Sequence, residues 1–249
     1  MAVASKTARR RMKRSITQPV SGRLTRSLRL IFLGPPGAGK GTQAELVQHR
    51  LRLPHISTGN IFREEAKTGT ALGKVVVGYM RRGELVPDAV VVQVVAGRLR
   101  RPDTRRGYIL DGFPRTVPQA EALDRQLAAH RQAIDLAVYF PTTARVIHTR
   151  LGGRRVCQQC GAIYHLTNMP SKRAGICDGC GGRIIQRADD RAATIRRRLD
   201  VYRKESTPLL AYYQRRGRLR QLSGDASAET LFERFAHLLQ REGWLAGAR

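Results

Sequence analysis

The chain has 249 residues, which is enough for one large domain or for one domain with insertions. Its formal net charge is +27, and 39 of its 46 basic residues are arginine. Such a basic chain is suited either to a polyanion such as nucleic acid or to phosphate-rich small substrates, and the even spread of arginine somewhat favours the second. No apolar run is long enough to span a bilayer, so we expect no membrane partner.

Residues 1–27 form a basic leader that contains no acidic residue. Because it has few apolar side chains, we expect this segment to be disordered rather than packed. Its composition is that of an organellar transit peptide, but a basic tail or leader residues before a later start at Met12 would look the same. No secretory signal is evident, since the first apolar run is the first predicted strand.

Short apolar strands alternate with helices after the leader. The predicted strands are residues 28–33, 108–110, 136–140 and 219–222. The predicted helices are residues 40–51, 72–82, 88–101, 117–130, 142–151, 190–213 and 228–240, and a short helical insert begins at residues 56–59. Buried strands separated by helices indicate an α/β fold with a parallel sheet covered on both faces. Ligands of such sheets lie at the carboxyl ends of the strands, where both Gly34 and Asp111 fall.

Residues 28–42 read LRLIFLGPPGAGKGT, an apolar strand followed by a glycine-rich turn with a lysine near its end. Glycines permit backbone conformations and close approaches that side chains forbid, so several N–H groups point at one anion where a helix begins. Lys40 adds a full charge near the β- and γ-phosphates. The spacing is that of a phosphate-binding P-loop, except that Gly41 stands where Ser or Thr is usual and Thr42 follows it.

All cysteines lie in one stretch, as two CxxC pairs separated by sixteen residues: Cys157, Cys160, Cys177 and Cys180. This spacing is typical of a two-knuckle zinc site, in which four thiolates surround one ion. Such a site is closed and therefore structural, and iron or cobalt would also fit it. Two disulfides are the alternative, but a nucleotide-phosphate site argues for a reducing compartment, where disulfides are rare. We expect the metal to hold this insert folded.

Several motifs then occur together in a characteristic order. They are GPPGAGKGT at 34–42, ISTGNIFR at 56–63, DGFPRTVPQ at 111–119, and the cysteine insert followed by QRADD at 186–190. From residue 28 to the C-terminus the chain resembles adenylate kinase, in the form with a zinc-bearing lid. The resemblance implies the P-loop nucleoside monophosphate kinase fold, with a five-stranded parallel sheet flanked by helices. It also implies the Mg²⁺-dependent reaction ATP + AMP ⇌ 2 ADP.

The resemblance also implies a domain division and a set of partners. The P-loop core would comprise residues 28–56, 87–152 and 191–249, the AMP-binding insert residues 57–86, and the zinc-stapled lid residues 153–190. ATP, AMP and ADP would be the partners, with Mg²⁺ accompanying ATP and a structural Zn²⁺ in the lid. The chain would be a cytoplasmic monomer, with organellar targeting left open by the leader, and nucleic acid would be a less favoured partner through that leader.

The site residues implied by the resemblance fall into three overlapping groups. ATP would be bound by Gly37, Ala38, Gly39, Lys40, Gly41, Thr42, Arg150 and Arg154. AMP would be bound by Thr58, Arg63, Glu84, Val86, Gly112, Arg115, Gln119, Arg187 and Arg198, with Met80 in the wall and Gln119 at the adenine edge. The residues acting in catalysis would be Lys40, Asp111, Arg115, Arg150, Arg154, Arg187 and Arg198, with Asp111 orienting Mg²⁺ through water.

The chemistry of these residues agrees with phosphoryl transfer. The reaction needs positioning and neutralisation of negative charge rather than a covalent nucleophile, and guanidinium groups bind phosphate oxygens in forked pairs. A closing lid would exclude water. Asp189 and Asp190 have two interpretations of equal weight. They would either pair with lid arginines and so lock the hinge, or take a direct part in the reaction. For Tyr164 and His165, packing is favoured over a contact with the ATP base.

Two alternatives stay open at this point. The first is a nucleoside monophosphate kinase for UMP or CMP, although TVPQ after Arg115 favours adenine in this family. The second is a P-loop protein whose zinc module and leader bind RNA or DNA. The few basic residues of the lid and an aromatic content of 6% count against the second alternative, because single-stranded nucleic acid is usually bound on aromatic stacking platforms.

Overall fold

A computed structural model describes residues 23–246 of the chain. The strands are β1 (Leu28–Leu33), β2 (His55–Ser57), β3 (Gly107–Asp111), β4 (Leu136–Tyr139), β5 (Arg154–Cys157), β6 (Ile163–His165), β7 (Ile184–Ile185) and β8 (Leu219–Gln221). The α-helices are α1 (Lys40–Leu51), α2 (Thr58–Thr68), α3 (Ala71–Arg82), α4 (Asp88–Leu99), α5 (Val117–Ala128), α6 (Ala144–Gly153), α7 (Ala192–Val201), α8 (Pro208–Arg215) and α9 (Ala228–Arg241). Short 3₁₀ turns cover Pro102–Thr104 and Ala188–Asp190.

The central sheet has five parallel strands in the order β2-β3-β1-β4-β8, which confirms the predicted α/β fold. Successive residues of β1 face opposite sides, as the pleat requires. Leu28, Leu30 and Phe32 pack with α1 and α9 on one side, whereas Ile31 and Leu33 pack with α4, α5 and α8 on the other. Helices therefore cover both faces, and the carboxyl ends of the strands form one open edge.

Strand β2 is the strand of the central sheet that the sequence pattern did not predict. His55–Ser57 pairs in register with the end of β3, although residues 56–59 suggested the beginning of a helical insert. A strand of three residues is too short to display an alternating pattern. Helix α2 begins only at Thr58, and the Ser57 side chain accepts a hydrogen bond from Asn60 N as its N-cap.

The predicted helix over residues 190–213 is divided. Helix α7 continues into a π-helical turn at Tyr202–Ser206, followed by α8. The backbone N–H of Thr207 bonds to Tyr202 O (3.1 Å), one residue further back than in an α-helix. Pro208 explains the change, because it has no N–H and its ring crowds the preceding turn.

The first described residues pack against the C-terminal segment. Leu24 forms an antiparallel bridge with Leu245, and the guanidinium of Arg26 lies 3.8 Å from the centre of the Trp244 ring. The prediction of an unpacked leader up to residue 27 is therefore wrong for residues 24–26, because Leu24 packs against the core and the indole offers Arg26 a stacking surface. Residues 1–22 hold the rest of the predicted leader and lie outside the described residues.

The cysteine-bearing segment forms a separate small sheet. Strand β5 pairs antiparallel with both β6 and β7 in the order β6-β5-β7. We call residues 153–190 the lid and residues 57–86 the AMP insert, as in the predicted division. Within residues 23–246, no helix combines the length and the apolar character that a bilayer crossing requires.

Candidate active site

The P-loop lies between the carboxyl end of β1 and the first turn of α1. Gly39 has φ +89° at the helix N-cap, a left-handed conformation that favours glycine. Lys40 Nζ folds back over the loop and donates to Gly34 O (2.7 Å) and Pro35 O (3.0 Å). Burial lowers the pKa of Lys40 to about 8; nearby Asp111 opposes that shift, whereas Arg115 and other arginines add to it.

Asp111 ends β3 beside the P-loop. Its Oδ2 lies 3.2 Å from His55 Nε2 on the neighbouring strand β2. Burial alone would raise the pKa of Asp111, but the hydrogen bond from His55 and the charge of Lys40 lower it overall, which favours the carboxylate. A Cβ on Gly41 would stand 3.5 Å from Asp111 Oδ2, so the glycine that departs from the P-loop pattern lies directly beside this carboxylate.

Arginines from distant parts of the chain converge on one cavity of about 470 Å³ that includes the P-loop. Its cationic side chains are Lys40, Arg63, Arg115, Arg150, Arg154, Arg187 and Arg198. Burial and then the charge of Arg198 lower the pKa of Arg115 to about 10. Burial and then the charges of Arg63 and Arg154 lower the pKa of Arg187 to about 9. Several cations buried close together give the cavity a positive potential, which favours a polyphosphate ligand.

Asp190 braces two of these arginines. Arg154 donates to its carboxylate through Nε (2.7 Å) and Nη2 (2.5 Å), and Arg198 Nη1 lies 3.1 Å from Oδ1. Arg198 also lies 3.1 Å from Asp189 Oδ2. The Asp190 side chain is fully buried, so these contacts support the hinge-lock interpretation. Arg187 contrasts with the pair, because its buried Nε has no hydrogen-bond partner among the described residues.

Arg150 is held differently from the other cations. Its Nη1 donates to Gly224 O (2.7 Å) and its Nη2 to Ala226 O (3.0 Å), in the loop between β8 and α9. Nη1 lies 3.6 Å from the Cβ position of Gly39, so the guanidinium also borders the P-loop.

A second, smaller cavity lies between the AMP insert and the core. Its lining consists of Thr58, Gly59, Phe62, Arg63, Met80, Gly83, Glu84, Leu85, Val86, Val91, Gly112, Arg115, Gln119, Asp189 and Arg198. Every residue predicted to bind AMP is on this cavity except Arg187, which lines the larger one. Thr58 Oγ1 donates to Gly112 O (2.9 Å) across the floor. Arg63, Arg115 and Arg198 line both cavities, so the two meet at these guanidinium groups.

Gln119 is buried beneath the smaller cavity and is held by protein groups on both sides of its amide. Its Oε1 accepts from Arg115 N (2.8 Å), and its Nε2 donates to Asp88 Oδ1 (2.6 Å). Thr116 Oγ1 donates to the other oxygen of Asp88 (2.9 Å).

The lid and the AMP insert touch one another above the larger cavity. Lys67 Nζ of α2 lies 3.5 Å from Gln159 O of the lid. The AMP insert also contacts the core, where Glu84 Oε1 lies 3.8 Å from Arg197 Nη2 of α7. The larger cavity is lined by residues of the lid, of the AMP insert and of the core. It brings the residues predicted to bind phosphate into one place.

The four cysteine thiols of the lid are free, and their sulfurs lie within 4.8 Å of one another. Sγ of Cys157 is 3.5 Å from Sγ of Cys180, and Sγ of Cys160 is 3.6 Å from Sγ of Cys177. Thiolates at about 2.3 Å from one tetrahedral ion stand about 3.8 Å apart, so this donor set fits zinc. Glycines with φ +74° and +73° follow the two pairs at 161 and 181 and form the tight knuckle turns.

Tyr164 supports the cluster from one side. Its hydroxyl accepts from Asp178 N (2.7 Å) and donates to Cys177 Sγ (3.3 Å). That hydrogen bond is the largest cause of the lowered Cys177 pKa, about 6, and so favours the metal-binding thiolate. His165 Nε2 lies 3.1 Å from Thr149 O of α6. Tyr164 and His165 thus make hydrogen bonds within the lid and to α6, and both also border the larger cavity.

Sequence reasoning missed two residues that hold the predicted ones. His55 precedes the ISTG motif and contacts Asp111, while Asp88 begins α4 and contacts Gln119. An imidazole next to a known motif is a weak signal that could have suggested His55. Asp88 follows Pro87 and has the pattern of an ordinary helix start, so only the fold reveals its contact.

Together, the fold and the two joined cavities define a class of protein. A P-loop at the carboxyl edge of a parallel sheet, facing a cluster of buried arginines, is the site of a nucleotide phosphotransferase.

Comparison with known proteins identifies the family. A family model described as adenylate kinase matches residues 32–218. The chain is 47% identical over 215 residues to the adenylate kinase of Moorella thermoacetica, covering 86% of this chain and 99% of that protein. It is 46% identical over 215 residues to the adenylate kinase of Thermodesulfovibrio yellowstonii, covering 86% and 100%. The adenylate kinase of Carboxydothermus hydrogenoformans is 46% identical over 214 residues, again covering 86% and 100%. The chain belongs to the adenylate kinase family.

Membership of this family confirms the predicted activity. The chain is a phosphotransferase whose reaction is ATP + AMP ⇌ 2 ADP, and the two alternative functions are not favoured. Enzymes of this family use Mg²⁺ together with ATP.

Proposed function

We propose that the two cavities hold the two nucleotides end to end, with ATP in the larger cavity and AMP in the smaller one. The observation that carries this proposal is that Arg63, Arg115 and Arg198 line both cavities. Phosphate groups entering from the two sides would meet at these guanidinium groups. The transferred group would then travel a short distance between nucleotides, as in-line transfer requires.

The chain's own cations would supply most of the electrostatic stabilisation. Backbone N–H groups of residues 37–42 and Lys40 would hold the ATP phosphates, with Nζ exchanging its carbonyl partners for phosphate oxygens. Arg63 would grip the AMP phosphate, while Arg115 and Arg198 would neutralise charge spreading over the group in transit. Arg150 and the lid arginines Arg154 and Arg187 would complete the cage.

Mg²⁺ fits at Asp111, in the role of an anchor that acts through water. The carboxylate is favoured there, and it borders the P-loop beside Gly41. When bound, Mg²⁺ neutralises phosphate oxygens of ATP. His55 would keep the carboxylate oriented through its contact with Oδ2.

Gln119 would read the adenine of AMP. Its amide oxygen and nitrogen each have one hydrogen-bonding position left after binding Arg115 N and Asp88. An amide offering one acceptor and one donor side by side complements the 6-amino group and N1 of adenine. Met80, Glu84 and Val86 would form the wall around the base, with Thr58 and Gly112 at its floor.

The lid would exclude water from the phosphates, and zinc would keep it folded. Water at the γ-phosphate would turn transfer into hydrolysis, so closure protects the reaction. The four cysteine sulfurs of the lid would bind Zn²⁺. Because four thiolates leave no open position on the ion, its role would be structural.

An assay for ADP formed from ATP with AMP, CMP, UMP or GMP tests the substrate assignment. We expect AMP to be the preferred acceptor, and a higher kcat/KM with UMP or CMP would refute it. Arg115→Ala should lower kcat by about 10²–10³-fold with the fold kept, because the guanidinium acts on the group in transit. Arg101→Ala removes an exposed arginine outside both cavities and is the matched control, expected to keep wild-type kcat.

A cytoplasmic location and a monomeric state are part of the same proposal. Sedimentation of the purified chain would test the monomer. Nucleic-acid binding through the basic leader is the less favoured addition. Salt-dependent binding to an oligonucleotide that disappears on deletion of residues 1–27 would support it as a second activity.

A further inference from the structure

Asp88 is a charged residue outside the predicted site, and it accepts a hydrogen bond from the predicted site residue Gln119. It is half-buried at the start of α4, and its two carboxylate oxygens accept from Gln119 Nε2 (2.6 Å) and Thr116 Oγ1 (2.9 Å). Gln119 itself is 1% exposed. The amide of Gln119 is therefore enclosed by protein groups on the side away from the smaller cavity.

The chemistry of these partners fixes which way the amide faces. Asp88 as a carboxylate can only accept hydrogen bonds, so it requires the nitrogen of Gln119. The backbone N–H of Arg115 can only donate, so it requires the oxygen, 2.8 Å away. A rotated amide would place oxygen against carboxylate and N–H against N–H, losing both bonds at once.

The fixed orientation has a consequence for the base that can bind. The free acceptor and donor of Gln119 match a base edge with a 6-amino donor next to an N1 acceptor. A 6-oxo purine presents the reverse pattern, an oxygen acceptor next to an N1–H donor. It would need the rotated amide that Asp88 and Arg115 N oppose.

We propose that Asp88 is a positioning residue that locks the Gln119 amide and thereby selects 6-amino over 6-oxo purine monophosphates. This inference rests on the proposed role of Gln119 at the adenine edge. Thr116 contributes by holding the second oxygen of Asp88, which keeps the first turned toward Gln119. The ligand class is a purine nucleoside monophosphate, and the discrimination is carried by the pattern of donors and acceptors.

AMP and IMP are the probes that test the lock, because they differ only at the 6-position and the N1 proton. In Asp88→Ala the kcat/KM ratio of AMP to IMP should fall by at least about 10-fold. The KM for AMP should rise about 10-fold, while the KM for ATP and the kcat with AMP stay within about threefold. A general loss of structure would instead affect both nucleotides together. An unchanged AMP to IMP ratio would overturn the proposal.

Further variants distinguish a failure of the Asp88 proposal from a failure of the adenine-binding role proposed for Gln119. Asp88→Asn keeps the shape but can donate or accept, so it should retain AMP use and still lower the AMP to IMP ratio, even if the alanine variant folds poorly. Asp103→Ala removes an exposed carboxylate that contacts Arg98 and should leave the ratio unchanged. If Gln119→Ala leaves the ratio intact, the adenine role of Gln119 is wrong. If Gln119→Ala lowers the ratio and both Asp88 variants do not, only the lock is wrong.

Discussion

Replacing Asp190 tests whether its buried ion pairs with Arg154 and Arg198 stabilise the fold at the end of the lid. Its side chain is fully buried, and it accepts two hydrogen bonds from Arg154 and one from Arg198. Asp190→Asn conserves the shape but removes the charge and replaces one acceptor oxygen with an NH₂ donor. At least one guanidinium would then face a donor, and both would lose their buried counter-charge.

The size of the effect follows from burial. Removing one partner of a buried ion pair costs about 3–5 kcal/mol, because a charge remains buried without compensation. For a chain of this size, 1 kcal/mol corresponds to about 2–4 °C in Tm, so the variant should melt about 6–20 °C lower. Asp200→Asn is the matched control. It breaks the Arg203–Asp200 pair, whose side chains are 74% and 63% exposed, and should change Tm by less than about 2 °C.

Thermal unfolding of the wild type and both variants, followed by circular dichroism in the same buffer, measures the difference. Zinc content should be determined in parallel, so that loss of the metal is not mistaken for loss of the ion pair. If Asp190→Asn melts within 2 °C of the wild type with full zinc content, the buried network does not stabilise the fold, and the hinge-lock interpretation is refuted.

Three further predictions concern the metal, the P-loop lysine and helix packing. We expect about one bound zinc ion per wild-type chain, and Cys177→Ser should lower both the zinc content and Tm. A chelator should lower Tm of the wild type in the same way. If metal-free wild type keeps its Tm, the ion is not structural. Because the pKa of Lys40 is about 8 in the empty site, ATP binding above pH 8 must take up a proton. Calorimetry should therefore show a Kd that rises above pH 8 and is flat between about pH 7 and 8, below which the phosphate itself titrates. A Kd flat up to about pH 9.5 would refute this. Gly73→Ala would drive a Cβ into the backbone oxygen of Glu65 and should lower the free energy of unfolding by about 1–3 kcal/mol. Gly97→Ala meets nothing within 4 Å and should stabilise slightly, and equal melting of the two variants would contradict the packing.

The motifs supplied most of the residues that the structure brings together at the two cavities, because their chemistry is local in the chain. The turn at residues 34–42 needs glycines at closely spaced positions, Gly34, Gly37 and Gly39, and each CxxC pair is followed directly by a glycine. Residues this close in sequence meet in almost any fold that keeps the turn. The alternation of apolar strands and helices predicted the parallel sheet for the same reason, since each strand carries its own pattern of burial.

The failures lie where the local pattern is too short or competes with its surroundings. Strand β2 has three residues, and only its pairing with β3 marks it as a strand. The leader boundary moved because Leu24 and Arg26 find Leu245 and Trp244 at the other end of the chain. The predicted long helix is divided near Pro208, which has no N–H to donate and so interrupts the α-helical hydrogen bonding.

The sequence by itself determined the fold class, the phosphate-binding turn, the four-thiol cluster and the family. Only the tertiary structure decided which carboxylate braces which arginine, which way the Gln119 amide faces, and why the Lys40 pKa is low. The reason is that these properties depend on charge and hydrogen bonding between segments far apart in the chain. Asp88 and Gln119 are 31 residues apart and Arg154 and Asp190 are 36 apart, and folding alone brings each pair together.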